Sequence, residues 1–347
     1  MMKKFRPSRE FNINVVGGVA TISQSLIHIE NHLPNIGDEK LENMILSDLS
    51  SSQKKISSIF FYDAKGSHLF EQITTLPEYY LTRTEISLLH IIAEKLKDTI
   101  HHIDLVEFGS GDCKKISILL EPLSKQALHT IRYIPFDVSH DAVKKSSENL
   151  TKKFPELRIH GIVADFITQL DVIPKESKKI ICFLGSTIGN FSPIQTITFL
   201  SNLKRIMNPD DLLLIGFDRV KQKEIIEKAY NDTQLLTEKF NKNILQVVNN
   251  IVNTDFDPLN FDHVAFYNEE LSRIEMHLKA QKTHEISSPS LPSKVLIKKD
   301  EMIHTENSYK FTKDQITMLA RKSGLTIKEI VSDEKKWFSL VIFSKQV

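Results

Sequence analysis

Three acids at the ends of apolar runs, two of them joined to glycine or an aromatic ring, carry the clearest chemistry in this sequence. Glu107-Phe108-Gly109-Ser110-Gly111 closes one run, Asp137 a second, and Asp165-Phe166 a third. Glycines in such a turn let the backbone approach a ligand closely. An acid at the tip of the second strand can accept two hydrogen bonds from a ribose diol. An acid beside an aromatic ring suits the amino group and flat face of adenine. A dinucleotide fingerprint would require a third glycine where Lys114 stands. The shorter E-x-G-x-G turn suits the methionine carboxylate and ribose of S-adenosylmethionine better than a pyrophosphate. Taken singly, the first motif could be a plain tight turn and each Asp a helix N-cap. At three successive strand ends they read as one cofactor crevice.

A fourth run, 180–184, is apolar throughout and leads into Gly185-Ser186-Thr187 and Gly189-Asn190. Ser192 and Pro193 then suit the cap and first position of a new helix. A loop leaving the carboxyl end of a central strand is a ligand-binding position, so Asn190 would offer one donor and one acceptor to the crevice. Two ordinary turns would explain the same residues. The histidines, including His101-His102, show no ligand spacing with cysteines or paired acids. Asp255-Phe256-Asp257 and Asp262-His263 read as loop turns, so no metal site is expected.

These residues need strands to hold them. From residue 102 the pattern is strand, turn, helix. Strands are expected at 103–108, 131–136, 157–163, 180–184 and 212–217, with helices between them at 141–154 and 194–207. That rhythm argues for a parallel sheet covered on both faces. Before it, 1–34 reads as an arm with little periodicity, 39–49 as a helix and 50–58 as a polar linker. The aromatic-rich stretch from Phe60 to Glu85 reads as a loop that lines something, and 84–100 as a helix. After Lys221 the rhythm stops: helix over 225–245, strand over 273–280, a Ser/Pro loop over 287–293. The chain ends with a helix over 312–322 and strands at 325–331 and 338–343. A parallel sheet closed by a late antiparallel strand is the layout of a class I methyltransferase.

The chain has 347 residues, is 41% hydrophobic and 26% charged, and carries a formal net charge of +1. That composition supports a packed core and gives no electrostatic footprint for nucleic acid. Cys113 and Cys182 fall in no CxxC pattern and read as free buried thiols of a reducing compartment. No stretch approaches the ~20 apolar residues of a membrane span. The expectation is a cytoplasmic, monomeric protein acting on a small molecule, without nucleic-acid or membrane partners.

Longer motifs identify a family. Phe61-Tyr62-Asp63 with Gly66-Ser67, Leu76-Pro77-Glu78-Tyr79-Tyr80 with Thr82-Arg83-Thr84-Glu85, and Ile134-Pro135-Phe136-Asp137-Val138 occur in the first half. Phe183 through Asn190, Ala229-Tyr230-Asn231-Asp232, Phe240-Asn241, Arg273-Ile274-Glu275-Met276 and Thr305-Glu306-Asn307-Ser308 follow. From about Phe60 onward the chain resembles the L-histidine Nα-methyltransferases of ergothioneine biosynthesis. The resemblance implies that Tyr79, Gly109, Lys115, Asp137, Asp165 and Phe166 hold S-adenosylmethionine. It implies that Asn190 and Tyr230 grip the amino acid's α-amino and α-carboxylate groups. Tyr62, Phe70, Met276, Glu306 and Ser308 would surround the imidazole, and Tyr62 and Asn190 would be the catalytic residues, helping the amine lose its proton to water. It also implies three methyl transfers to a trimethyl betaine and a discontinuous substrate-binding domain, 35–83 with 220–309. The methyltransferase domain would then be 84–219 with 310–347. Departures from the family pattern fall at Arg219, at Thr233-Gln234-Leu235-Leu236 and in the linker 281–302, and touch none of these residues. Competing readings are the same fold acting on another amino acid such as tryptophan, a nicotinamide oxidoreductase, and an inactive binding scaffold.

Overall fold

The computed structural model describes residues 12–16, 19–23, 26–33, 38–289 and 294–345. Six strands lead the chain into its main sheet: β1 (Ile27–Asn31), β2 (Ile103–Phe108), β3 (Arg132–Asp137), β4 (Arg158–Val163), β5 (Lys178–Phe183) and β6 (Leu212–Asp218). Three more, β7 (Phe261–Asn268), β8 (Arg273–Ala280) and β9 (Met302–Tyr309), form a separate antiparallel sheet with β8 in the middle. The chain then returns to the main sheet with β10 (Leu325–Ser332) and β11 (Phe338–Lys345). The main sheet runs β10-β11-β6-β5-β2-β3-β4-β1. All of its pairs are parallel except those of β11, which lies antiparallel between β6 and β10.

Every residue of β2 is buried, as a strand covered by helices on both faces must be. The principal helices are α1 (Asp38–Ser50), α2 (Ala64–Ile73), α3 (Tyr80–Leu96), α4 (Lys114–Leu120), α5 (His140–Lys153), α6 (Pro193–Ile206), α7 (Leu236–Val252) and α8 (Lys313–Ser323). Period-two alternation divides the core. Leu105, Tyr133, Ile180 and Leu214 face α3, α4 and α5 with Leu89, Ile116 and Leu150. Val106, Ile134, Ile181 and Ile215 face α6 and α8 with Leu200, Leu203 and Leu319. Ser192 and Pro193 open α6 as expected, within a capping box closed by Gln195. The order of strands reverses between β2 and β5, and the carboxyl ends on either side of that point form the crevice.

Four expectations change. Part of the N-terminal arm is a strand: β1 adds to the edge of the sheet beside β4, with Ile27 opposite Ile159 and Asn31 opposite Val163. Asn12–Val16 and Val19–Ser23 pair antiparallel with each other, and residues 1–11, 17–18, 24–25 and 34 of the arm lie outside the described residues. The aromatic stretch after Phe60 is mostly helical, because Asp63 caps α2 by accepting the Gly66 N–H at 2.7 Å. The helix expected over 225–245 is broken. Lys223–Lys228 ends at a turn in which the Asp232 carboxylate accepts the N–H groups of Gln234, Leu236 and Thr237, and α7 begins after it. Asp262 and His263 lie on β7 rather than in a loop turn.

Candidate active site

The glycine-rich turn after β2 is open above its backbone. Gly109 has φ +71°, and a Cβ built there would meet nothing within 4 Å. Its N–H donates to Phe136 O at 2.9 Å, which ties the turn to the tip of β3. Beside it, Ser110 Oγ is buried with no hydrogen-bond partner among the described residues, a polar atom that a ligand would satisfy. Asp137 ends β3 and accepts the Ser139 N–H at 2.9 Å. Burial pushes its carboxyl above the ordinary range, so one more donor would be welcome there. Asp165 accepts Ile167 N–H at 2.8 Å and the Thr168 hydroxyl at 2.7 Å. It thus caps its own turn while keeping free lone pairs. Phe166 is half-buried against Phe108 and Phe183. An open glycine cradle, an orphan hydroxyl and two strand-end carboxylates fit the amino-acid, ribose and adenine parts of S-adenosylmethionine.

Lys115 enters through a residue the sequence reading did not single out. Its Nζ lies 2.8 Å from the Glu85 carboxylate, which is itself buried on α3. Glu85 also accepts the Gly185 N–H at 2.8 and 3.0 Å. Gly216 leaves room for it, since a Cβ there would sit 2.3 Å from Glu85 Oε1. The loop after β5 is thereby fastened to the cofactor side of the crevice. Its other anchor is Ser186, whose Oγ accepts the Asp218 N–H at 2.9 Å. The loop then folds as one 3-10 turn, Thr187–Asn190, and lies against β9: a Cβ on Gly189 would come 2.9 Å from Tyr309 O and 3.6 Å from Ser308 Oγ. Asn190 ends that turn half-buried.

Across this loop the second sheet presents Glu306 and Ser308. Met276 on β8 lies directly opposite Glu306 on β9, and both are buried. Glu306, Ser308 and Lys310 alternate along one side of an extended chain. The Tyr230 hydroxyl donates to Ser308 Oγ at 2.8 Å, and Lys310 Nζ donates to the same oxygen at 2.8 Å and to Tyr230 Oη at 3.1 Å. With its oxygen accepting twice, Ser308 retains its own proton to donate. Lys310 is fully buried against Asp218, 2.9 Å away, and Asp218 also accepts from Tyr80 and Lys221. Burial raises the Glu306 carboxyl to about 7, with Lys310 acting against the rise.

Aromatic rings wall this polar floor. Tyr62 lies edge-on to Phe70 at 5.8 Å and to Phe240 at 5.9 Å, Phe70 to Tyr79 at 6.2 Å, and Tyr79 to Tyr230 at 6.4 Å. Half of Tyr62 is exposed, yet its hydroxyl end lies inside the protein. Burial, then the charge of Glu306, then Tyr230 hold that phenol well above its ordinary value. The structure therefore gathers Tyr62, Phe70, Tyr79, Tyr230, Met276, Glu306 and Ser308 into one cluster, beside the loop that carries Asn190. Phe240, Glu85 and Lys310 are the members that sequence reasoning missed. The period-two spacing from Glu306 to Lys310 was the available signal for the last.

Comparison with known proteins shows the family. Residues 41–345 match the family model described as histidine-specific methyltransferase, SAM-dependent. A histidine N-alpha-methyltransferase of Mycolicibacterium smegmatis is 36% identical over 83% of this chain and 89% of its own length. One of Mycobacterium tuberculosis is 34% identical over 92% of this chain and 99% of its own. Ergothioneine biosynthesis protein 1 of Schizosaccharomyces pombe is 27% identical over 84% of this chain, which spans 39% of that longer protein. The chain belongs to the family of histidine-specific, S-adenosylmethionine-dependent methyltransferases.

Proposed function

We propose that this enzyme methylates the α-amino group of L-histidine, three times in succession, to give the trimethyl betaine. The observation that carries the substrate reading is the buried Glu306, set opposite Met276 and next to a Ser308 whose proton is left free. A neutral imidazole has one N–H donor and one acceptor nitrogen. Ionised Glu306 accepts from the first and Ser308 donates to the second, while Phe70 and Met276 supply apolar walls and Tyr62 closes the top. Asn190 and Tyr230 take the α-amino and α-carboxylate groups. Residues 35–83 and 220–309 form the substrate-binding unit of this reading. Residues 84–219 and 310–347 form the cofactor-binding unit, in which Tyr79, Gly109, Lys115, Asp137, Asp165 and Phe166 hold S-adenosylmethionine.

S-adenosylmethionine supplies a methyl group on a positively charged sulfur that leaves without acid assistance. The residues of the chain have only to present a neutral amine in line and exclude water, and positioning of that kind is worth ~7–11 kcal/mol. Asn190 is an amide and Tyr62 keeps its proton at neutral pH, so both act as hydrogen-bond partners that aim the amine lone pair. The amine's proton leaves to water. The ring of Tyr62, Phe70, Tyr79, Tyr230 and Phe240 suits an ammonium that grows more apolar with each methyl group. Among the described residues no helix is long and apolar enough to cross a membrane. The two free, buried cysteines suit a reducing cytoplasm, and a monomer acting on a free amino acid is the assembly proposed.

Competition kinetics test the substrate. Phenylalanine or leucine in this site would strand a buried carboxylate, so preference for histidine on the order of 10⁴ is expected. Glu306→Ala should collapse that ratio, chiefly by weakening histidine. Equal methylation of leucine or tryptophan by the wild type, or undiminished preference in the variant, would overturn the imidazole assignment.

A further inference from the structure

Away from the crevice, at the edge of the main sheet, three histidines surround one carboxylate. His28 and Glu30 alternate on β1, so their side chains lie on the same face, and His32 follows directly after the strand. His160 on β4 is the register partner of His28 across the parallel pair. His28 Nε2 and His32 Nε2 lie 2.9 Å from the two Glu30 oxygens. His160 Nε2 is 3.4 Å from Glu30 Oε1. It is aligned too poorly to bond and remains buried without a hydrogen-bond partner among the described residues. One ligand atom each from His28, Glu30 and His160 lies within 4.8 Å of the others. Rings of His28 and His160 stand 5.3 Å apart, inclined at 44°, so neither blocks the other.

We propose that His28, Glu30 and His160 form a binding site for a divalent transition-metal ion of the zinc class, which clamps the N-terminal strand to the sheet. Two imidazoles and one carboxylate are the donor set such ions select. The fourth position faces water or His32, a third of which is exposed. His28 and His160 are 132 residues apart in the chain (160 − 28) and meet only through the β1–β4 pairing. A bound ion would therefore hold β1 in place. An ordinary cluster of surface ion pairs accounts for the Glu30 contacts but leaves the His160 nitrogen without a hydrogen bond among the described residues.

Equilibrium dialysis of the full chain against Zn²⁺, and against Co²⁺ with its visible absorption as a coordination signature, tests the site. Wild type should bind one ion that His28→Ala and His160→Gln each weaken by at least roughly tenfold. Because His28 is two-thirds exposed, its variant should fold normally. Zn²⁺ should raise the melting temperature of wild type by mass action and leave that of the His28→Ala variant unmoved. Mg²⁺, which prefers oxygen ligands, should do neither. Absence of binding at micromolar Zn²⁺, or equal binding and equal thermal shift in wild type and both variants, would overturn the proposal.

Discussion

Asp137 sits where a buried carboxylate without a full set of partners is held above its ordinary pKa. If it receives the ribose hydroxyls, Asp137→Ala should weaken S-adenosylmethionine by roughly 1.5–3 kcal/mol, or about 10–150-fold. Titration calorimetry that finds unchanged affinity would move the cofactor elsewhere. Glu306 is a second carboxyl that burial raises, at the expense of stability. Its folded value of about 7 lies above its ordinary 4.5. The native state therefore holds an extra proton between those values. Its contribution to stability is complete below pH 4.5 and is lost as pH rises through 7. At pH 8 the penalty is on the order of 3 kcal/mol. Glu306→Gln, which cannot ionise, should be more stable than wild type at pH 8 and nearly equal to it at pH 4.5. Urea unfolding at the two values checks this, and a stability gap of the same size at both would refute it.

At the scale of elements, the loop after β5 joins the two halves of the crevice. It is fastened to α3 and α4 through Gly185, Glu85 and Lys115, to β6 through Ser186, and to β9 through the close approach of Gly189 to Tyr309 O. Gly189→Ala places a methyl 2.9 Å from a backbone oxygen that cannot easily move. The loop must lift, and Asn190 with it. The KM for histidine should rise several-fold while cofactor affinity stays within about twofold. The reverse split would mean that the loop serves the cofactor first. A similar link holds the turn after β4. Gln169 accepts the Asp165 N–H at 2.9 Å and donates to His32 O at 2.7 Å, so the Asp165 turn leans on β1. Gln169→Ala should loosen that turn and weaken S-adenosylmethionine by a few-fold, as calorimetry would show; unchanged affinity would mean the turn holds its shape without β1.

For the molecule as a whole, the buried group of Asp218, Lys310, Lys221 and Tyr80 connects the main sheet to the second one. Lys310 and Asp218 are both fully inaccessible. Removing one partner leaves an uncompensated charge, at a cost on the order of 3 kcal/mol, with Lys221 limiting the loss. Lys310→Met should therefore destabilise strongly. Asp218→Asn alone should cost more, because it strands two buried ammonium groups, and the double variant should lose less than the sum of the two single losses, because both changes remove the same interaction. Simple additivity in denaturant unfolding would show the pair to be independent of one another.

The sequence by itself determined most strands of the main sheet and the polar residues at their carboxyl ends. Apolar runs at strand length, spaced by amphipathic helices, placed β2 to β6 within a residue or two of their observed bounds. Glycines and acids at the strand ends marked the crevice for the same local reasons. Motifs of several residues carried the family. Local pattern did not reach β9, whose buried positions include Thr305, Glu306 and Ser308; a strand that buries polar groups has no hydrophobic period to read. It did not reach β1 either, a short edge strand stabilised by a neighbour 130 residues away. Nor could it pair Lys115 with Glu85, Lys310 with Asp218, or His28 with His160. Those contacts depend on which strands become neighbours, and only the assembled sheet decides that.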